Sequence, residues 1–191
     1  MNPAASGRLP TIGSLPWGTH VCHFYVRREE LVSALVPWFA AGLNNRERCL
    51  WVTADPLPAD SARAELLRAV PDLDERIARG DIVIRDFDGW YTAGERPRGE
   101  AVVGRWLEAE RRALADGYAG LRISGNVSFL TEEMRGTFLG YERAVTEAFR
   151  GRRILALCSF PLLRCPGADL FDVTQAHPCT LDLRNGAWEL V

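Results

Sequence analysis

The chain has 191 residues, 47% of them apolar and 25% charged, with a formal net charge of −2. This is the composition of a globular domain large enough for one buried core, and near-neutral charge argues against a dedicated nucleic-acid or anionic-membrane binder, which would carry a basic patch. No apolar run approaches the roughly 18 residues of a membrane span. Five cysteines, at positions 22, 49, 158, 165 and 179, occur without a secretion signal, which predicts reduced thiols and a cytoplasmic location. All 23 basic residues are arginine. A Schiff base, a lysine general base and a P-loop lysine are therefore excluded.

In chain order, residues 1–16 read as a mobile N-terminal tail and 17–191 as a single domain. Thr19 to Val26 reads as the first strand, with His20, Cys22 and Phe24 on one face and Val21, His23 and Tyr25 on the other. Strands that open α/β domains are usually aliphatic on both faces. This one is crowded with polar and aromatic groups, the kind of local conflict that marks function. Glu29 to Asn44 has helical periodicity, Arg48 to Ala54 is strand-like, and Pro58 to Ala69 and Pro71 to Arg79 are helical. Asp81 to Phe87 reads as a third strand, followed by a long connection from Asp88 to Arg98 that carries Trp90 and Tyr91. Gly99 to Asp116 is a helix, Leu121 to Ser124 a strand, and Gly125 to Leu130 a loop. Thr131 caps a helix whose apolar seam is Met134, Phe138, Tyr141, Val145 and Phe149. Arg153 to Phe160 is a fifth strand, Ala168 to Ala176 a short helix. Thr180 to Leu183, Asn185-Gly186 and Ala187 to Leu190 form a closing hairpin. Alternating strands and helices predict an α/β fold: a mainly parallel sheet covered by helices on both faces, ending in an antiparallel β-hairpin.

Several stretches, taken in order, resemble one family. His20-Val-Cys22-His-Phe-Tyr25, Glu29-Glu30-Leu31, Gly42-Leu43 and Cys49-Leu-Trp-Val52 are similar to the start of the MEDS family, the sensory domain of methanogen and methylotroph regulators. Arg122-Ile-Ser-Gly125, Tyr141-Glu142, Leu157-Cys158-Ser-Phe-Pro161 and His177-Pro178 resemble its later blocks. The resemblance implies prokaryotic signal transduction, sensing of a simple hydrocarbon derivative, and a fold similar to the RecA/KaiC ATPase core. It also implies output through a regulatory partner of kinase, anti-sigma or transcription-factor type, with a homodimer left open as a further form of association.

The ATPase layout can be checked against the residues. Phosphate binding in such folds needs glycines, a lysine and a Ser or Thr between the first strand and first helix. Here that connection is Val26-Arg27-Arg28-Glu29-Glu30, with two carboxylates. The expectation is a non-enzymatic sensor that requires no cofactor.

The expected ligand site is drawn from the carboxyl ends of the strands, where ligands of open α/β sheets sit, together with the motif residues: His20, Cys22, Tyr25, Asp55, Trp90, Ser124, Gly125, Cys158 and His177. Two other readings remain. His20, Cys22, His177 and Cys179 together offer two imidazoles and two thiolates, a zinc or redox set if their segments are neighbours. A vestigial nucleotidase or a hydrolase using a Cys/His nucleophile would be the enzymatic alternative. His20 lies near the amino end of its strand, away from the carboxyl-end pocket, so the motif and the sheet rule point to different places.

Overall fold

A computed structural model describes residues 12–87, 90, 99–128, 132–165, 167–184 and 187–191. The described elements are β1 (His20–Tyr25), α1 (Arg28–Asn44), β2 (Arg48–Thr53), α2 (Ala59–Ala69), α3 (Leu73–Arg79), β3 (Ile82–Asp86), α4 (Gly99–Ala115), β4 (Leu121–Asn126), α5 (Glu132–Phe149), β5 (Ile154–Pro161), a 3-10 turn (Leu162–Arg164), α6 (Gly167–Ala176), β6 (Cys179–Arg184) and β7 (Ala187–Leu190). The strands form one sheet in the order β3-β2-β4-β5-β1-β6-β7. Every pairing is parallel except that of β6 with β7. The expected α/β class, parallel sheet and closing hairpin are all present.

The central strands β4, β5 and β1 are buried along nearly their whole length. Their alternation still separates two cores, because successive side chains leave a strand on opposite faces. Val21, Tyr25, Leu155, Leu157 and Trp51 pack with Leu31, Leu35, Trp38 and Phe39 of α1 and Leu66 of α2. On the other face Ile123, Ile154 and Ala156 pack with Trp106 of α4 and Val145 and Phe149 of α5, and Cys22 and Phe160 pack with Val173 of α6.

A buried ion pair organises the α1 side. Arg122 of β4 donates from Nε to Glu47 Oε2 at 2.5 Å, from Nη2 to Glu47 Oε1 at 3.1 Å and from Nη1 to the Ile12 carbonyl at 3.0 Å. Its guanidinium lies 4.5 Å from the centroid of Trp38. Breaking one side of such a pair is costly because the other charge is left uncompensated. The Ile12 contact also shortens the expected tail. Ile12 and Leu15 are buried against the core, so the expected tail of residues 1–16 does not run through them; residues 1–11 lie outside the described residues.

One further boundary differs from the reading of the sequence. β4 continues through Gly125 and Asn126, which pair with Cys158 and Ser159 of β5. Asn126 also uses its side chain as a clamp: Nδ2 donates to the Ala54 and Asp55 carbonyls, and Oδ1 accepts from Tyr25 Oη at 3.1 Å and from the Ser128 amide at 3.0 Å. The connection around Trp90, the Thr131 cap and the Asn185-Gly186 turn fall outside the described residues, except for Trp90 itself.

Two predictions follow from this packing. A Cβ at Gly42 would meet Arg122 Cδ at 2.7 Å and Cys49 Sγ at 2.8 Å, so Gly42→Ala should destabilise by about 1–3 kcal/mol through overpacking, measured by urea unfolding. The second concerns His23, whose imidazole burial pushes down to about 4 from 6.5, with Glu30 opposing. The unfolded chain then binds more protons than the folded one within that window. The stability associated with His23 is complete above it and is lost as pH falls through it. Between these two values the wild type should lose about 1.4 kcal/mol per pH unit more than His23→Phe, and parallel pH profiles would refute this.

Candidate functional site

On the α5 side of the sheet, four buried or half-buried groups converge. His20 comes from β1, Cys158 from the neighbouring β5, Glu142 from α5, and His177 from the first residue beyond α6. Their ligand-type atoms all lie within 4.8 Å of one another. Glu142 Oε2 is 3.3 Å from both His20 Nε2 and His177 Nε2, and His20 Nε2 is 3.3 Å from Cys158 Sγ. The imidazole centroids are 4.1 Å apart. Both histidines and Glu142 are buried, and Cys158 keeps partial exposure.

Local structure explains the convergence. β1 and β5 are parallel with Cys22 opposite Cys158, so His20 and Cys158 are diagonal neighbours on one face, within reach of long side chains. Glu142 and Thr146 are four residues apart on α5 and so share a helix face. β1 approaches the end of that helix closely at Gly18 (φ +85°), where a Cβ would meet the Phe149 carbonyl at 2.8 Å. Only glycine accommodates both the contact and the left-handed backbone.

The hydrogen bonds determine the histidine tautomers. Thr146 Oγ1 donates its single proton to the Ala176 carbonyl at 2.7 Å. It must therefore accept from His20 Nδ1, 2.8 Å away. His177 Nδ1 donates to the Val173 carbonyl at 2.8 Å. With both Nδ1 atoms protonated, a neutral imidazole at either position turns its Nε2 lone pair toward the same carboxylate.

Burial, together with the proximity of His177, lowers the His20 imidazole despite Glu142. Burial alone would raise the Glu142 carboxyl, but the His177 and His20 contacts outweigh it and hold it at about 2. Burial, reinforced by the Glu142 charge, pushes the Cys158 thiol well above its ordinary value. That is opposite to the thiolate stabilisation a Cys/His nucleophile needs.

Beside the cluster, where β4 and β5 end, lies a small cleft of about 40 Å³ accessible to water. Val127, Phe138, Leu139, Phe160 and Val173 form its apolar walls, with Ser128, Arg164, Cys165 and Asp169 among its other residues. Phe160 meets His177 edge to face at 5.7 Å, and Val173 supplies the carbonyl that holds His177. Cluster and cleft therefore share a wall.

Of the residues expected from the sequence, His20, Cys158 and His177 are brought together. Cys22 shares the His20 face but directs Sγ toward Thr180 Oγ1 at 3.3 Å, and burial raises its thiol to about 11. Cys179 pairs with Val21 and packs into the α1-side core. The set His20, Cys22, His177 and Cys179 is thus half assembled: the imidazoles meet, and Glu142 and Cys158 stand where the two other cysteines were expected. The pleat is the reason, since Val21 and its partner face away from His20. Tyr25 is bound to Asn126, and the Asp55 side chain is exposed. Trp90 lies tilted against Trp106, ring centroids 4.5 Å apart, in the α4-side core. Ser124 is buried in β4, and Gly125 lies opposite Cys158 in register. Glu142, Thr146 and Val173 were missed as site residues. The available signal was a carboxylate one residue from Tyr141, inside the apolar seam of α5.

The family model MEDS (methanogen/methylotroph, DcmR sensory domain) matches residues 19–178. No curated protein matches the chain. The matched span includes all four cluster residues.

Thr146 is the positioning residue most open to test. Thr146→Val preserves shape while orphaning His20 Nδ1–H and the Ala176 carbonyl, and should cost about 1–3 kcal/mol for each unpaired buried group. Thr146→Ser should recover most of it in the same unfolding assay.

Proposed function

Because the chain belongs to the MEDS sensory-domain family, we propose that it is a non-enzymatic sensor that binds a small ligand in the cleft beside the histidine cluster and passes the signal to a regulatory protein. The observation that carries this reading is the shared wall. A ligand pressing on Phe160 and Val173 acts directly on the residues that hold His177. The cleft is several times the roughly 10–15 Å³ that accommodates one water, which suits a molecule of few heavy atoms, such as a simple hydrocarbon derivative. Aromatic and aliphatic walls with a few polar groups fit that chemistry.

The place where an ATPase would hold phosphate supports the non-hydrolytic reading. Glu30 Oε2 accepts from the Val26 amide at 2.7 Å, and Glu30 Oε1 accepts from Arg27 Nε and Nη2 at 3.2 Å each. A carboxylate thus occupies the N-terminal end of α1, the position a RecA/KaiC-like enzyme reserves for phosphate. Cytoplasmic residence and a partner of kinase, anti-sigma or transcription-factor type belong to the same reading. None of the described helices is long and apolar enough to cross a membrane.

A thermal-shift panel of small alcohols, amines, halogenated alkanes and nucleotides tests the proposal. At least one small apolar class should raise the melting temperature with concentration, following mass action. Leu139→Trp, which fills the cleft, should abolish that shift. ATP or GTP turnover that disappears on changing Asp55 or Asp86 would overturn the sensor reading.

A further inference from the structure

The cluster itself has chemistry that the cleft does not use. Two imidazole nitrogens, a carboxylate oxygen and a sulfur converge with lone pairs inward. Among the described residues, Glu142 Oε1, Glu142 Oε2 and His177 Nε2 find no hydrogen-bond partner, although all are buried. Without a cation, the cluster can close only on protons. Cys158 S–H would donate to His20 Nε2, and a His177 imidazolium would donate to Glu142 Oε2. That still leaves Glu142 Oε1 buried without a donor, a cost of about 1–3 kcal/mol or more for a charged group.

We propose that His20, Glu142, Cys158 and His177 form a binding site for one divalent transition-metal ion, zinc in the first instance, which ties α6 to the sheet. Three of the six distances between ligand atoms match what such an ion requires, and all six lie within 4.8 Å. Metal–nitrogen and metal–oxygen bonds of about 2.0–2.1 Å in a tetrahedron set neighbouring ligand atoms about 3.3–3.4 Å apart. The two Glu142-to-histidine distances are 3.3 Å each. The His20-to-Cys158 edge is also 3.3 Å, so a slight outward shift of the sulfur accommodates its longer bond.

The outer hydrogen bonds are already in place. Thr146 and the Val173 carbonyl hold the Nδ1–H groups, the arrangement that orients metal-ligating imidazoles. Sulfur with two imidazoles selects zinc and its soft or borderline neighbours over magnesium and calcium, which favour all-oxygen shells. Binding displaces both protons: the divalent ion enters, the Cys158 thiol proton and the His177 Nε2 proton leave, and the carboxylate and thiolate charges balance the ion. Four protein ligands make a closed site, as in structural and sensing centres rather than catalytic ones. The half-buried Cys158 provides its accessible side. This site stands independently of any ligand in the cleft.

The experiment uses the full chain, purified without a histidine tag. Elemental analysis should find one zinc per chain, or the chelator-stripped protein should take up one equivalent of added Zn²⁺. Co²⁺ should give the intense visible bands of a tetrahedral site together with a sulfur-to-cobalt charge-transfer band. Cys158→Ser should remove the charge-transfer band while the protein remains folded by circular dichroism. Cys22→Ser, whose sulfur points toward Thr180, should leave both spectra intact. Thr146→Val keeps all four ligands and should weaken zinc binding about 10–100-fold. A stripped, folded wild-type chain that takes up neither Zn²⁺ nor Co²⁺ would overturn the proposal, and so would a cobalt spectrum lacking a sulfur band.

Discussion

Glu142 lies between two imidazoles on a carboxylate that burial would otherwise neutralise, and much of one side of the molecule is arranged around that charge. Its contacts draw together β1, α5 and the segment after α6, and Cys158 adds β5 at the adjoining edge. An apolar core would bury the same volume at lower electrostatic cost, because a buried ionised group must recover its lost hydration from specific partners. Here the partners face the carboxylate with lone pairs. This incomplete satisfaction concentrates the energetics of the site in a few atoms and makes it sensitive to whatever cation, metal ion or proton resides there.

The two faces of the sheet use buried charge differently. On the α1 side, Arg122 and Glu47 satisfy one another through two hydrogen bonds, and a third goes to Ile12. That pair is closed and serves as a fixed strut between β4, α1 and the N-terminal segment. On the α5 side, the cluster is open in the sense that its acceptors outnumber its donors. At the carboxyl ends of the strands, Glu30 closes the start of α1 and Asn126 joins Tyr25 to Ala54 and Asp55.

α6 contacts both the cluster and the cleft. It contributes Asp169 and Val173 to the cleft and positions His177 through the Val173 carbonyl. Its outer surface exposes Phe171, and the preceding turn exposes Leu163. A ten-residue helix is too short to be stable in isolation, so its placement depends on these packing and polar contacts. A change at either site therefore reaches a surface element directly.

The sequence alone determined the elements, their order, the parallel class of the sheet and the closing hairpin. These follow from local periodicity, which does not require knowledge of what lies across the sheet. His20 stood out as a polar residue in a strand destined for burial, and the resemblance to the MEDS family added Cys158 and His177. Tertiary structure alone decided which residues complete the set. Cys22 and Cys179 stand two residues from the histidines in sequence. Hydrogen bonding turns the first toward Thr180, and the pleat places the second on the opposite face of the sheet. Glu142 and Thr146 arrive from a helix more than a hundred residues from β1. Convergence of that kind depends on the packing of α5 across β1 and β5, and periodicity carries no information about such crossings.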